Sequence, residues 1–103
     1  MKSNSDSNLE RFDNSIQTLR TQINVLDEKI VDLLKTRLQL VFQVREIKHI
    51  DEIPQHSMER EHVVIENAVH NCCGLEKEYL AETYQALLTA TRKVADKKDQ
   101  ETP

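Results

Sequence analysis

The sequence is short of the residues that bend or cross-link a chain. It has one glycine (Gly74), two prolines (Pro54 and Pro103), no tryptophan and four other aromatics. So few turn formers leave little room for hairpins, and a chain rich in Leu, Glu, Lys, Gln and Ala favours helix. The two cysteines, Cys72 and Cys73, are adjacent. That spacing suits neither a loop-closing disulfide nor a zinc motif, and it reads as two small residues near a helix end. His62, Glu66 and His70 share a helix face, but without a fourth ligand they make no standard metal motif, so no metal or other cofactor is expected. No apolar run is long enough to cross a bilayer, and the opening Met1-Lys2-Ser3-Asn4-Ser5-Asp6-Ser7-Asn8 lacks the apolar core of a signal peptide. A soluble, cytoplasmic protein is the expectation. With 14 basic and 18 acidic residues the formal charge is −4. Non-specific binding to nucleic acid or anionic lipid is therefore not expected, and any anion must be held by local cations.

What is present is a long periodic pattern. Leu9, Phe12, Ile16, Leu19, Ile23, Leu26, Ile30, Leu33, Arg37, Leu40, Val44 and Ile47 follow a 3-4 spacing, and Arg37 alone among them is polar. This predicts one continuous helix with a narrow apolar seam. At 1.5 Å per residue it runs on the order of 58 Å, whereas a compact domain of about 100 residues has a radius of gyration near 13 Å. The rest of the chain is too short to cover such a rod, so a second copy is the economical cover and a homodimer is expected.

The connector Asp51-Glu52-Ile53-Pro54-Gln55 ends this helix, because Pro54 disfavours helix in the residue before it. Ser57 is placed to cap a second helix from Met58 to about Cys72, with Glu59 and Glu61 near its positive end. Val64, Ile65, Ala68, Val69 and Cys72 give it an apolar face, and Gly74 stands where a left-handed C-terminal cap is wanted. A third helix starts around Leu75 to Glu78. It carries Tyr79, Leu80, Thr83, Tyr84, Leu87, Leu88, Thr91 and Val94 at helical spacing, with both tyrosines assigned to the core, and frays from Asp96 onward. The predicted organisation is an all-α chain of long, short and medium helices over residues 9–96, between a disordered start (1–8) and tail (97–103).

A guanidinium at a seam position is costly unless it meets an anion. Arg37 reads either as a register device paired with a carboxylate or as part of a ligand site. Lys48 lies eleven residues on, about 20° from the same face and about 16 Å along the helix, with Val41 and Val44 between. Two long cationic side chains over an apolar floor suit a small dianion. Arg20 stands beside the seam residue Leu19, and Arg60 precedes Glu61 in the second helix. Taken singly, each has an ordinary surface role, and Lys48 and Glu61 also suit the ends of helix dipoles.

Together the residues resemble a family. Leu19-Arg20, Ile23, Leu26-Asp27, Ile30, Leu33-Leu34 and Arg37, then Val44 and Lys48, then Pro54 and Arg60-Glu61, are similar to the all-helical AroQ class of chorismate mutases, over Leu19 to about Arg92. The resemblance implies the chorismate mutase type II fold, three helices intertwined in a homodimer, with each site completed by the partner's first helix. It further implies that Arg37 and Lys48 bind the carboxylates of chorismate and that Lys48 faces the ether oxygen. Arg20 reaches in from the partner subunit, Glu61 accepts from the ring hydroxyl, Thr91 contacts a carboxylate and Arg60 supports the site. The implied reaction, chorismate to prephenate in aromatic amino acid biosynthesis, is an intramolecular rearrangement that requires no nucleophile, metal or cofactor. Two positions depart from the family pattern. Ser57 stands where an aspartate is common, and a serine still hydrogen-bonds. Ala95 stands where a glutamine or glutamate usually faces the ether oxygen, and a methyl group cannot donate. The alternatives are an enzyme of the same fold acting on isochorismate or aminodeoxychorismate, a non-catalytic helical dimer that retains the fold, and a plain coiled-coil protein in which Arg37 sets the register.

Overall fold

The computed structural model of the chain describes residues 4–52, 54–55 and 57–101, with side chains from Glu10 onward. The expectations placed on residues 1–3, 102 and 103, and on the side chain of the seam residue Leu9, lie outside the described residues. Three helices follow in order, α1 (Asn4–Ile50), α2 (Met58–Val69) and α3 (Gly74–Glu101), and the described residues contain no strand. The chain is all-α, long, short and medium as the periodicity requires. Helix extends into both stretches read from the sequence as disordered, since α1 already runs at Asn4 and α3 continues to Glu101. Adding a residue to an existing helix is cheap once the nucleus exists.

The chain divides within α1 into two units, Met1–Arg37 and Leu38–Pro103. The first is a single helical rod. Every described residue from Glu10 to Thr36 is exposed, and the seam residues Phe12, Ile16, Leu19, Ile23, Leu26, Ile30 and Leu33 are all bare. The hydroxyls of Thr18, Thr21 and Thr36 donate to the carbonyls of Asn14, Gln17 and Asp32, one turn back, at 2.9, 2.9 and 3.1 Å.

The second unit contains a core. Its stretch of α1 turns Val41, Phe42, Arg45 and Lys48 inward to differing degrees, at a spacing that makes one helical stripe. The first helix ends where Asp51 N–H donates to the Ile47 carbonyl (3.0 Å) and Glu52 adopts a left-handed φ of 58°. Lys48 and His49 lie in its last turn, against the negative end of the dipole. Ser57 caps α2 as expected, with extended backbone and Oγ accepting from Arg60 N–H at 3.1 Å.

The other end of α2 departs from expectation. The helix stops at Val69, and the left-handed residue that follows is Asn71 (φ 64°). Gly74 is also left-handed, at 62°, but it opens α3. Asparagine tolerates this conformation better than most residues, so Asn71 can end the helix before Gly74 is reached. Cys72 N–H then bonds the Val69 carbonyl at 3.0 Å, closing the turn.

With so short a link, α2 and α3 pack antiparallel, and Glu61 in the first turn of α2 meets Arg92 late in α3. Val69, Leu88 and Ala95 are buried, and Val64, Ile65, Ala68, Leu80, Tyr84 and Leu87 half-buried around them. Tyr79 is not core. It is 70% exposed, one residue off the covered stripe that runs Leu80, Tyr84, Leu87 and Leu88.

The last turns of α3 are tied to α1 by a buried cation. Arg45 Nη1 donates to Asp96 Oδ1 at 2.9 Å and to Asp99 Oδ2 at 2.8 Å. Gln55 Nε2 donates to the Arg45 carbonyl at 3.2 Å, and Lys98 Nζ lies 5.9 Å from the centre of the Phe42 ring. Burial on its own lowers the pKa of Arg45, but the bonds to Asp96 and Asp99 outweigh it and hold the guanidinium above its ordinary value. This clamp is why α3 does not fray at Asp96.

Candidate active site

The candidate residues sit on all three helices. Arg20 and Arg37 belong to the first unit. Arg20 is exposed, one position after the bare Leu19, and Arg37 is half-buried at its seam position. The other six belong to the second unit. Lys48 is half-buried in the last turn of α1, and Ser57, Arg60 and Glu61 follow at the start of α2. Thr91 and Ala95 lie one turn apart on α3.

Within the second unit the start of α2 is a tight assembly. Ser57 is spent as a cap, its Oγ on Arg60 N–H and its carbonyl accepting from Glu61 N–H at 3.1 Å. Capping fixes the backbone that carries Arg60 and Glu61, while the Arg60 residue stays exposed. The Glu61 side chain is mostly buried, at 16% exposure, and accepts a hydrogen bond from Arg92 Nη1 at 2.7 Å. A bond this short between opposite charges is strong, and it joins α2 to α3 at the height of Thr91. Thr91 Oγ1 donates to the Leu87 carbonyl at 2.6 Å. Ala95, one turn further, has no solvent exposure at all.

The structure thus brings Ser57, Arg60, Glu61 and the α3 turn at Thr91 together. Sequence reasoning missed two cations. Arg92 is 31 residues from Glu61, and Arg45 is 51 and 54 residues from its two aspartates. No spacing rule connects such distant charges. A signal for Arg92 did exist, since it follows Thr91 on the face that carries Ala95. His62 Nε2 lies 3.8 Å from Glu66 Oε1 on the exposed side of α2, and among the described residues no three His, Cys, Asp or Glu side chains converge as a metal site.

The start of α2 thus presents an exposed cation, Arg60, beside a carboxylate, Glu61, that is paired with Arg92 of α3. The class is the all-helical one: residues 19–96, more than half of the chain, match the family described as chorismate mutase type II, and the chain belongs to that family. It is also similar to the T-protein of Haemophilus influenzae, 38% identical over 50 residues. That match covers 48% of this chain and 13% of the relative, so the chain spans a small part of that protein's length. No solved structure gives a significant match. No helix among the described residues is long and apolar enough to cross a membrane.

Proposed function

We propose that the chain is a chorismate mutase, an isomerase that rearranges chorismate to prephenate without metal or cofactor, and that it acts as a homodimer in the cytoplasm. The observation that supports this reading is that the matched segment contains Arg20, Arg37, Lys48 and Glu61, the residues that carry the resemblance. A scaffold has no need of this set of charged residues. Arg37 and Lys48 take the carboxylates, Lys48 also faces the ether oxygen, and Arg20 is supplied by the second copy. Glu61 receives the ring hydroxyl, Thr91 a carboxylate, and Ser57 and Arg60 shape the start of α2. Holding the folded substrate in a near-attack geometry contributes several kcal/mol. A preorganised cation against the oxygen that gains charge as the C–O bond breaks adds about 2.7–4 kcal/mol.

The bare seam supports the dimer. An isolated rod with its apolar residues in water gains nothing from them, and a second copy supplies a matching seam. One observation favours a second reading, a non-catalytic dimer that retains the fold: Ala95 is a sealed methyl group and donates nothing.

The deciding experiment incubates the purified protein with chorismate and follows its loss with product identification, alongside Arg37→Ala and Arg37→Leu. The mutase reading expects prephenate from the native chain and a fall of at least about 10²-fold in both variants, with the melting temperature kept or raised in Arg37→Leu. No turnover, with fold and dimer intact, sinks it. Isochorismate and aminodeoxychorismate are then the next substrates, and silence with all three leaves the binding module.

A further inference from the structure

The Glu61 contact pairs a proposed site residue with Arg92, a charge to which no role has yet been given. Its partner, Arg92, uses one guanidinium nitrogen for that bond, and Glu61 is its partner among the described residues. A guanidinium has five N–H donors in a rigid fork, so most of its donating capacity remains. The Arg92 side chain is one-third exposed while that of Glu61 is only 16% exposed. The guanidinium is therefore the more open partner of the pair, and the carboxylate keeps only a smaller exposed edge.

Its place on α3 gives the open side a use. Leu88 and Ala95 are buried apolar residues that bracket Arg92 in the sequence, and Thr91 precedes it. Ala95 cannot donate a hydrogen bond from this face, and Thr91 turns its hydroxyl hydrogen to the Leu87 carbonyl. Between those residues Arg92 is the group on α3 that is both cationic and bonded into the site. We propose, resting on the mutase reading, that Arg92 is a further catalytic residue: one nitrogen holds Glu61 and the remaining donors meet an oxygen of the bound dicarboxylate. Ala95 leaves this face without a side-chain donor, and Arg92 is the longer cationic donor one turn earlier. Arg92 also neutralises Glu61, so a dianionic ligand approaches a paired carboxylate rather than a bare one.

The test is a kinetic cycle on the full chain with chorismate as the substrate. Arg92→Gln is expected to cut kcat/KM by about 10²-fold and Arg92→Lys by about tenfold, with Arg92→Gln melting below the native protein because Glu61 loses its partner, and activity compared at a temperature where both variants are folded. The loss on Arg92→Gln is expected to persist in a Glu61→Gln background, because direct contact with the substrate does not act through Glu61. Activity within about threefold of native in Arg92→Gln overturns the role, as does a loss that disappears once Glu61 is gone. If Arg92→Gln fails to fold, Arg92→Lys carries the test, since it keeps a cation beside Glu61 and gives up the fork; native-like kcat/KM in that variant overturns the proposal. A native chain that neither turns over nor binds chorismate overturns the mutase reading and this role together. Native turnover with indifferent Arg92 variants overturns this role alone.

Discussion

The stretches before and after Arg37 solve opposite problems with the same kind of helix. In Met1–Arg37 the apolar residues are arranged in the strictest pattern in the sequence, and all the described ones are in water. In Leu38–Pro103 the pattern is looser, yet Val69, Leu88 and Ala95 are buried and Arg45 is buried among carboxylates. Regularity of pattern and burial within one chain are therefore separate properties. A strict 3-4 seam is written for another long helix, whereas an irregular apolar stripe is written for short neighbours of the same chain.

The largest test of that contrast is to charge the seam. Ile23→Glu combined with Ile30→Glu removes two seam residues from each copy. At about 1.5–3 kcal/mol per buried side chain, the four lost in a pair come to about 6–12 kcal/mol, comparable with the roughly 5–15 kcal/mol typical of a domain's whole stability. Sedimentation is expected to show the native chain as two copies and the variant as one, and the proposed supply of Arg20 by the second copy predicts that chorismate turnover is lost with it. A native chain that sediments as a monomer would break the comparison and point to a different cover for the seam.

Next in size is the clamp of the second region. Arg45→Met keeps the apolar stem and removes the charge. The cost is set at about 1–3 kcal/mol, because Asp96 and Asp99 are partly exposed and can rehydrate once released. Denaturant unfolding measures it. Since the guanidinium is held above its ordinary pKa, its stabilisation is complete below the unfolded value and lost only as pH rises through the still higher folded one. The difference between native and variant should therefore be flat from about pH 6 to about pH 9. A difference that shrinks across that range would mean that another group carries the clamp.

These two regions were not equally legible in the sequence. The first helix was readable because its signal is local and repeated, and the family that its residues resemble is the one that residues 19–96 match. Arg45 was not, because Asp96 and Asp99 stand in a run of charged residues that resembles a solvated tail, and only folding brings them to α1. Arg92 was missed for the same reason. Spacing rules report on one helix at a time, and both cations act between helices. Tyr79 was placed in the core from helical spacing alone, but a position one residue off the covered stripe turns 100° away from it. The cap on α2 failed differently: glycine is the strongest signal for a left-handed residue, and a tolerable asparagine three residues earlier was passed over.

That last error can be turned into the smallest and most local measurement. Asn71 and Gly74 share nearly the same left-handed φ, 64° and 62°, on either side of the link between α2 and α3. A Cβ built on Gly74 meets nothing within 4 Å, so Gly74→Ala costs only backbone strain, about 1 kcal/mol. Asn71→Gly relieves the milder strain of an asparagine but adds freedom to the unfolded chain, so its net effect is expected to stay within about 0.5 kcal/mol of zero. Chemical denaturation of the two variants side by side measures both. A larger loss at Asn71 than at Gly74 would show that the asparagine side chain, and not merely its backbone angle, holds the end of α2, and that the closure of the second region depends on a polar contact rather than on a permissive residue.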